Sequence, residues 1–76
     1  MFIEVLCICD DNLTGKSEIE LPIAFDTQSI ESFKKNPDGE VSIYMKSGDC
    51  IMTRSITYEQ LFAVLPKITI TRIGRN

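Results

Sequence analysis

Hydrophobic and polar residues alternate through the centre of the chain in the pattern of a β-hairpin. From Val41 to Met45 every second residue is apolar, and alternation resumes over 50–54 after the turn-forming sequence at 47–49. Successive side chains of a strand point to opposite faces of a sheet, and Gly and Asp favour tight turns. The pattern therefore predicts two antiparallel strands joined by a short turn.

A short amphipathic helix is predicted directly after this hairpin, over residues 57–65. Thr57 can accept a hydrogen bond from the first helical turn, and Gln60 can close a capping box. Pro66 pushes the residue before it out of helical space and so ends the helix. A helix this short is not stable alone, so we expect it to dock on the sheet. Its apolar stripe consists of Tyr58, Leu61, Phe62 and Leu65.

The first half of the chain predicts three more strands. Residues 2–9 are apolar apart from Glu4, which favours a strand covered on both faces. Residues 17–25 alternate, but Pro22 cannot donate to a ladder, so this strand should lie at a sheet edge or carry a bulge. The apolar anchors of 30–35 are three residues apart, which predicts a bulge or an irregular start.

These segments predict one α+β domain, rich in β-structure, over residues 1–76. Residues 68–73 alternate and are rich in β-branched side chains, which predicts a further strand. We expect a small twisted antiparallel sheet of four or five strands with one short helix near 57–65. A barrel-like sheet is an alternative form of the same fold. The predicted core consists of Ile3, Val5, Ile19, Leu21, Ile23, Ile30, Val41, Ile43, Ile51, Leu61, Phe62 and Leu65.

Chain length and cysteine content point to a reduced environment and to a partner. The core of a domain of 76 residues supplies only about 3–5 kcal/mol, and such domains often add disulfides, a metal or a second subunit. The chain has three cysteines, no histidine and no secretory signal. We therefore predict a cytoplasmic protein with free thiols, no metal and no cofactor. A partner subunit is then the remaining source of additional stability.

Charge is distributed unevenly along the sequence. Residues 1–40 hold nine acids and three bases, whereas 41–76 hold two acids and five bases. Such polarity suits head-to-tail or swapped association between copies of a chain. We therefore predict a homo-oligomer, a dimer or larger, that involves the strand at 68–73 and no membrane.

The residues present are poorly suited to catalysis or to metal binding. Asp10, Asn12, Thr14 and Gly15 match the start of a calcium-binding loop, but Leu21 stands where a bidentate Glu is needed. Cysteine nucleophiles are usually activated by a neighbouring base, and the chain has no histidine to serve Cys50. Glu18 and Glu20 fit the solvated face of a strand. We therefore predict no enzymatic activity.

The order of the elements resembles the FlbD-like family of small bacterial proteins. The resemblance rests on an N-terminal strand, the segment Ser29–Phe33, the strand–turn–strand Ile43–Ile51 with its central Gly, and the helix start Thr57–Leu61. It spans roughly residues 1–65. The resemblance implies a small bacterial protein and brings no established catalytic residues.

Nucleic-acid binding is the alternative. The segment after the helix, which reads Arg72-Ile73-Gly74-Arg75 following a Leu-Pro pair, resembles part of a LytTR-type DNA-binding domain. That resemblance implies phosphate contacts by Arg72 and Arg75. Basic side chains elsewhere could align with them or simply be solvated, namely Lys34, Lys35, Lys46, Arg54 and Lys67. The leading prediction is a non-enzymatic protein-interaction or self-association module.

Overall fold

The computed structural model describes residues 1–11, 13 and 15–65. The elements follow in the order β1 (Phe2–Asp11), β2 (Lys16–Asp26), a 3₁₀ helix (Thr27–Ser29), β3 (Ile30–Lys35), β4 (Val41–Met45), β5 (Cys50–Thr53) and α1 (Tyr58–Val64). The predicted β-rich domain with one short helix is thereby confirmed. The further strand predicted at 68–73 lies outside the described residues.

The five strands form one antiparallel sheet in the order β2-β1-β5-β4-β3. The edge position predicted from Pro22 is confirmed, because β2 is an outer strand. Pro22 pairs with Leu6, whose N–H donates to Ser55 Oγ on the β5 side at 2.9 Å. In an antiparallel ladder the N–H groups of two paired residues point either toward each other or away from each other. The Leu6 N–H points away from β2, so the nitrogen of Pro22 points away from β1 and faces the open edge. This edge therefore lacks a donor at its middle.

The sheet must curve, because its two outer strands are consecutive in sequence. Only the 3₁₀ helix Thr27–Ser29 separates the end of β2 from the start of β3. Four residue steps span at most roughly 14 Å, whereas the outer strands of a flat five-stranded sheet lie about 19 Å apart. Curvature brings the two edges together at this end. Barrel closure is not confirmed, since β2 and β3 share no ladder in the described part of the chain.

The core lies between the inner face of the curved sheet and the helix. Its buried hydrophobic members are Val5, Phe25, Val41, Ile43, Met45, Ile51 and Leu61. Val41, Ile43 and Leu61 are fully buried, as is the polar Thr53 beside them. Five of these positions were predicted, whereas Phe25 and Met45 were not in the predicted core. Ile3, Ile23 and Ile30 are half-buried and pack against this cluster.

Two predicted core residues are largely exposed. Leu21 is 51 % exposed and Phe62 is 44 % exposed. Leu21 pairs with Cys7, and the β1–β5 ladder ends at this level, because its single pair is Cys7–Thr53. The outer part of the β1–β2 hairpin therefore has no facing layer among the described residues. Phe62 lies on the side of α1 that turns away from the core.

The prediction that β1 is covered on both faces is wrong. Phe2 is 72 % exposed and Leu6 is 40 % exposed, and both lie on the face opposite to the buried Val5. No described segment covers this outer face of the sheet. Within residues 1–11, 13 and 15–65, no helix has the length and apolar character needed to cross a membrane.

Candidate interaction surfaces

An apolar groove runs between the edge strand β3 and the helix α1. Phe33 of β3 contacts Tyr58 and Phe62 of the helix, with ring centroids 5.0 and 6.1 Å apart. Tyr58 and Phe62 also contact each other at 6.1 Å. The groove measures about 530 Å³, and Ile30 and Leu65 complete its apolar lining. We call this feature the β3–α1 groove, defined by Ile30, Phe33, Tyr58, Phe62 and Leu65.

Local capping places the helical wall of this groove. Thr57 Oγ1 accepts from the Gln60 backbone N–H at 3.0 Å, and Gln60 Oε1 accepts from the Thr57 N–H at 2.9 Å. The predicted capping box is therefore confirmed. It fixes where the first turn begins, and Leu61 then anchors the helix in the core. With Leu61 inward, Tyr58 and Phe62 flank it and face β3.

A buried hydroxyl without a partner lines the same groove. Thr27 is only 3 % exposed, and its Oγ1 has no hydrogen-bond partner among the described residues. Leaving a buried hydroxyl unpaired costs about 1–3 kcal/mol. The groove therefore offers a polar atom that an occupant could satisfy.

The β3 edge also offers backbone groups. The Asn36 N–H donates to the Glu40 carbonyl at 2.7 Å, in register with the β3–β4 ladder. N–H groups alternate in direction along a strand, so those of Ser32 and Lys34 point toward β4. The N–H groups of Phe33 and Lys35 consequently point to the open edge. Unlike the β2 edge, this one has no proline.

The outer face of the sheet carries a second apolar surface. Phe2 and Leu6 of β1 are accompanied there by Met52 of β5, which is 38 % exposed. Pro22 lies opposite Leu6 and Ala24 lies opposite Glu4 on the same face. Exposed apolar residues that cluster on one face commonly mark contact surfaces.

Arg54, directly after β5, contacts carboxylates of β2 and of the turn that precedes β4. Its Nη2 donates to Glu18 Oε1 and to Glu40 Oε2, each at 3.0 Å. The Glu18 bond is the main reason that the pKa of Arg54 is raised. Glu18 sits at a bulge of β2 with φ of +61°, and its N–H donates to Asp10 Oδ1 at 3.4 Å. Arg54 is thus paired within the chain rather than held ready for a phosphate.

The cysteines are spread along the sheet, with Cys7 opposite Thr53, Cys9 opposite Ile19 and Cys50 opposite Tyr44. Cys7, Cys9 and Cys50 are all free thiols, and Cys7 and Cys50 line an open cleft of about 830 Å³. Burial and the neighbouring Cys7 raise the pKa of the Cys9 thiol. A raised pKa lowers the fraction of the nucleophilic thiolate. Cys9 is therefore poorly suited to nucleophilic chemistry.

The other residues singled out by sequence do not converge on one site. Arg72, Arg75 and Lys67 lie outside the described residues, and so do Asn12 and Thr14 of the calcium-like loop. Asp10 is engaged with the Glu18 N–H. Lys34, Lys35 and Lys46 are exposed on and beside the β3 edge. No grouping of three or more His, Cys, Asp or Glu side chains suited to a metal ion occurs in the described part of the chain.

The β3–α1 groove was not foreseen, although the sequence held a signal for it. Tyr58 and Phe62 are four residues apart on a helix only seven residues long, and Phe33 belongs to a strand with four polar residues. A short helix cannot bury two such rings and Leu61 at once, so part of the aromatic surface must remain accessible.

Comparisons with protein-family models, curated proteins and solved structures give no match to this chain.

Proposed function

We propose that this protein is a non-enzymatic interaction module that associates with itself. The observation that carries the proposal is the exposure of large apolar side chains on two separate surfaces. Phe2 and Leu6 lie exposed on the outer face, and Phe62 lies exposed at the β3–α1 groove. A domain with so small a core gains stability by covering such surfaces against a second subunit.

The segment 68–73 is the element that we propose to join the copies, as a dimer or a larger homo-oligomer. Its alternating sequence suits a strand that extends a sheet, and an open sheet edge offers unpaired backbone groups to such a strand. Added at the β3 edge, it would also carry the sheet further toward a barrel-like form. The basic character of residues 66–76 complements the acidic first half of the chain.

We further propose a reduced, cytoplasmic setting and membership of the FlbD-like family of small bacterial proteins. Free Cys7, Cys9 and Cys50 support the first. The order of strand, turn, strand and capped helix supports the second. No catalytic group follows from that resemblance, in agreement with a binding role.

Size-exclusion chromatography with light scattering tests this function. We expect the full chain at high micromolar concentration to elute with a mass above the 8.6 kDa of one copy. An Ile68→Asp/Ile70→Asp variant should shift toward the single-copy mass, whereas Ile68→Val/Ile70→Val, which keeps β-branched apolar side chains, should not. A full chain that remains a single copy at this concentration would refute self-association.

A further inference from the structure

We infer that the β3–α1 groove is the docking site for residues 67–73 of a second copy of the chain. The inference rests on the self-association proposed above and names its surface. It joins three features at one place: an apolar groove, an open strand edge and a buried hydroxyl without a described partner.

The position of the helix end favours an occupant from another copy. Leu65 lines the groove and has extended backbone angles, φ −73° and ψ 150°. Pro66 disfavours helical angles at Leu65, so α1 ends before it. No Gly, Asn or Asp occurs between Pro66 and position 74 to favour a tight reversal. This sequence favours pairing with another copy over a tight return of the segment to its own groove.

The chemistry of the segment matches that of the groove. Ile68 and Ile70 share one face of a strand, and Arg72 follows on the same face. The isoleucines suit the apolar lining of the groove. Glu31 in that lining can receive the arginine, although Lys46 beside it carries an opposing charge. Backbone groups of the docked strand would bond to the open edge at Phe33 and Lys35. A donor from the same strand would satisfy Thr27 Oγ1.

The competing edge of the sheet is less suitable for strand addition. Pro22 removes an outward N–H from the middle of β2, which interrupts any ladder formed there. Prolines on edge strands commonly prevent pairing with other chains. The acidic residues of β2 would attract a basic segment, but they would not supply a continuous row of backbone partners.

A binding experiment with matched variants tests the site. A fluorescein-labelled peptide of residues 66–76 is titrated with the full chain carrying Ile70→Pro, which disables strand pairing by its own segment. We expect saturable binding that weakens at least about tenfold when Phe62→Glu is added. Leu21→Glu is the matched control: it changes an apolar side chain of similar exposure, 51 % against 44 %, away from the groove, so binding should persist. Circular dichroism checks that both variants remain folded.

Four outcomes decide whether the β3–α1 groove binds residues 67–73 of a second copy. Saturable binding lost with Phe62→Glu and kept with Leu21→Glu supports the site. Absence of peptide binding, or equal binding to both glutamate variants, overturns it. A wild-type oligomer that keeps its mass in the Phe62→Glu variant overturns the site while leaving self-association intact. A wild-type monomer whose Ile70→Pro variant nevertheless binds the peptide overturns docking between copies, because the segment then occupies its own groove.

Discussion

Phe33 of the edge strand β3 packs against Tyr58 of the first helical turn, with ring centroids 5.0 Å apart and ring planes inclined at 44°. Tilted aromatic pairs at this distance contribute about 0.5–1.5 kcal/mol beyond the area that they bury. The pair holds the helix beside β3 while Leu61 enters the core. The same contact that docks the helix thus forms the floor of an accessible groove.

Truncating two leucines separates the true core from the apolar surface. Leu61 is fully buried, whereas Leu21 is 51 % exposed. We expect Leu61→Ala to lower the free energy of unfolding by about 2–5 kcal/mol. Leu21→Ala should cost less than about 1 kcal/mol, because little apolar surface is withdrawn from the core. Urea unfolding followed by circular dichroism, at one protein concentration, measures both. Equal costs would show that the assigned core is wrong.

Glu18 should prefer glycine to alanine as a replacement. Its φ of +61° lies in the left-handed region, which costs a residue with a Cβ about 1–2 kcal/mol. Either substitution removes the bond to Arg54, so this loss cancels in the comparison. We expect Glu18→Gly to be more stable than Glu18→Ala by about 1 kcal/mol. Thermal unfolding of the two variants measures the difference, and an advantage for alanine would contradict the backbone assignment.

Asp26 should make stability depend on pH in the acid range. Its Oδ1 accepts from the Gln28 N–H at 3.0 Å, and this bond is the main reason that the pKa of Asp26 lies below the ordinary 3.8. The charged form is favoured in the folded state, so the stabilisation is complete above the ordinary pKa and is lost as pH falls through the lowered one.

The Asp26→Asn variant tests this dependence. It should be less stable than the wild type at neutral pH, with the gap closing as the solution is acidified below the ordinary pKa of aspartate. Urea midpoints over a series of acid buffers give the comparison. A gap that stays constant, or widens on acidification, would exclude the bond to Gln28 as its cause.

Nucleic-acid binding by the basic segment is tested directly. Arg54 is already paired with Glu18 and Glu40, and the net charge of the chain is −3. A net negative charge opposes approach to phosphates, so we expect no retention of mixed duplex DNA on filters at low salt. The Arg72→Ala/Arg75→Ala variant serves as the control. Retention by the wild type that disappears in this variant would favour the LytTR-type alternative.

Local sequence signals predicted the positions of the strands and the helix better than they predicted which residues are buried. The capping box at Thr57 and the edge position of Pro22 follow from backbone chemistry within a few residues. Leu21 alternates correctly with its neighbours, yet it is 51 % exposed on the outer strand β2. Alternation identifies the face of a strand and cannot show whether another layer covers that face.

The candidate site depended on long-range relationships that periodicity does not encode. Phe33 meets Tyr58 because α1 packs beside the edge strand β3, a long-range contact that no local pattern encodes. Similarly, Arg54 meets a carboxylate thirty-six residues away in sequence, at a bulged Glu18. These contacts are set by topology, so the sequence predicted a β-rich domain without locating its groove.

Sedimentation equilibrium of the unmodified full chain tests the central claim most directly. The account predicts a mass that rises with concentration from 8.6 kDa toward an integral multiple of it. Dilution should reverse the rise, since mass action governs association of copies. A single species of 8.6 kDa throughout the micromolar range would contradict the account.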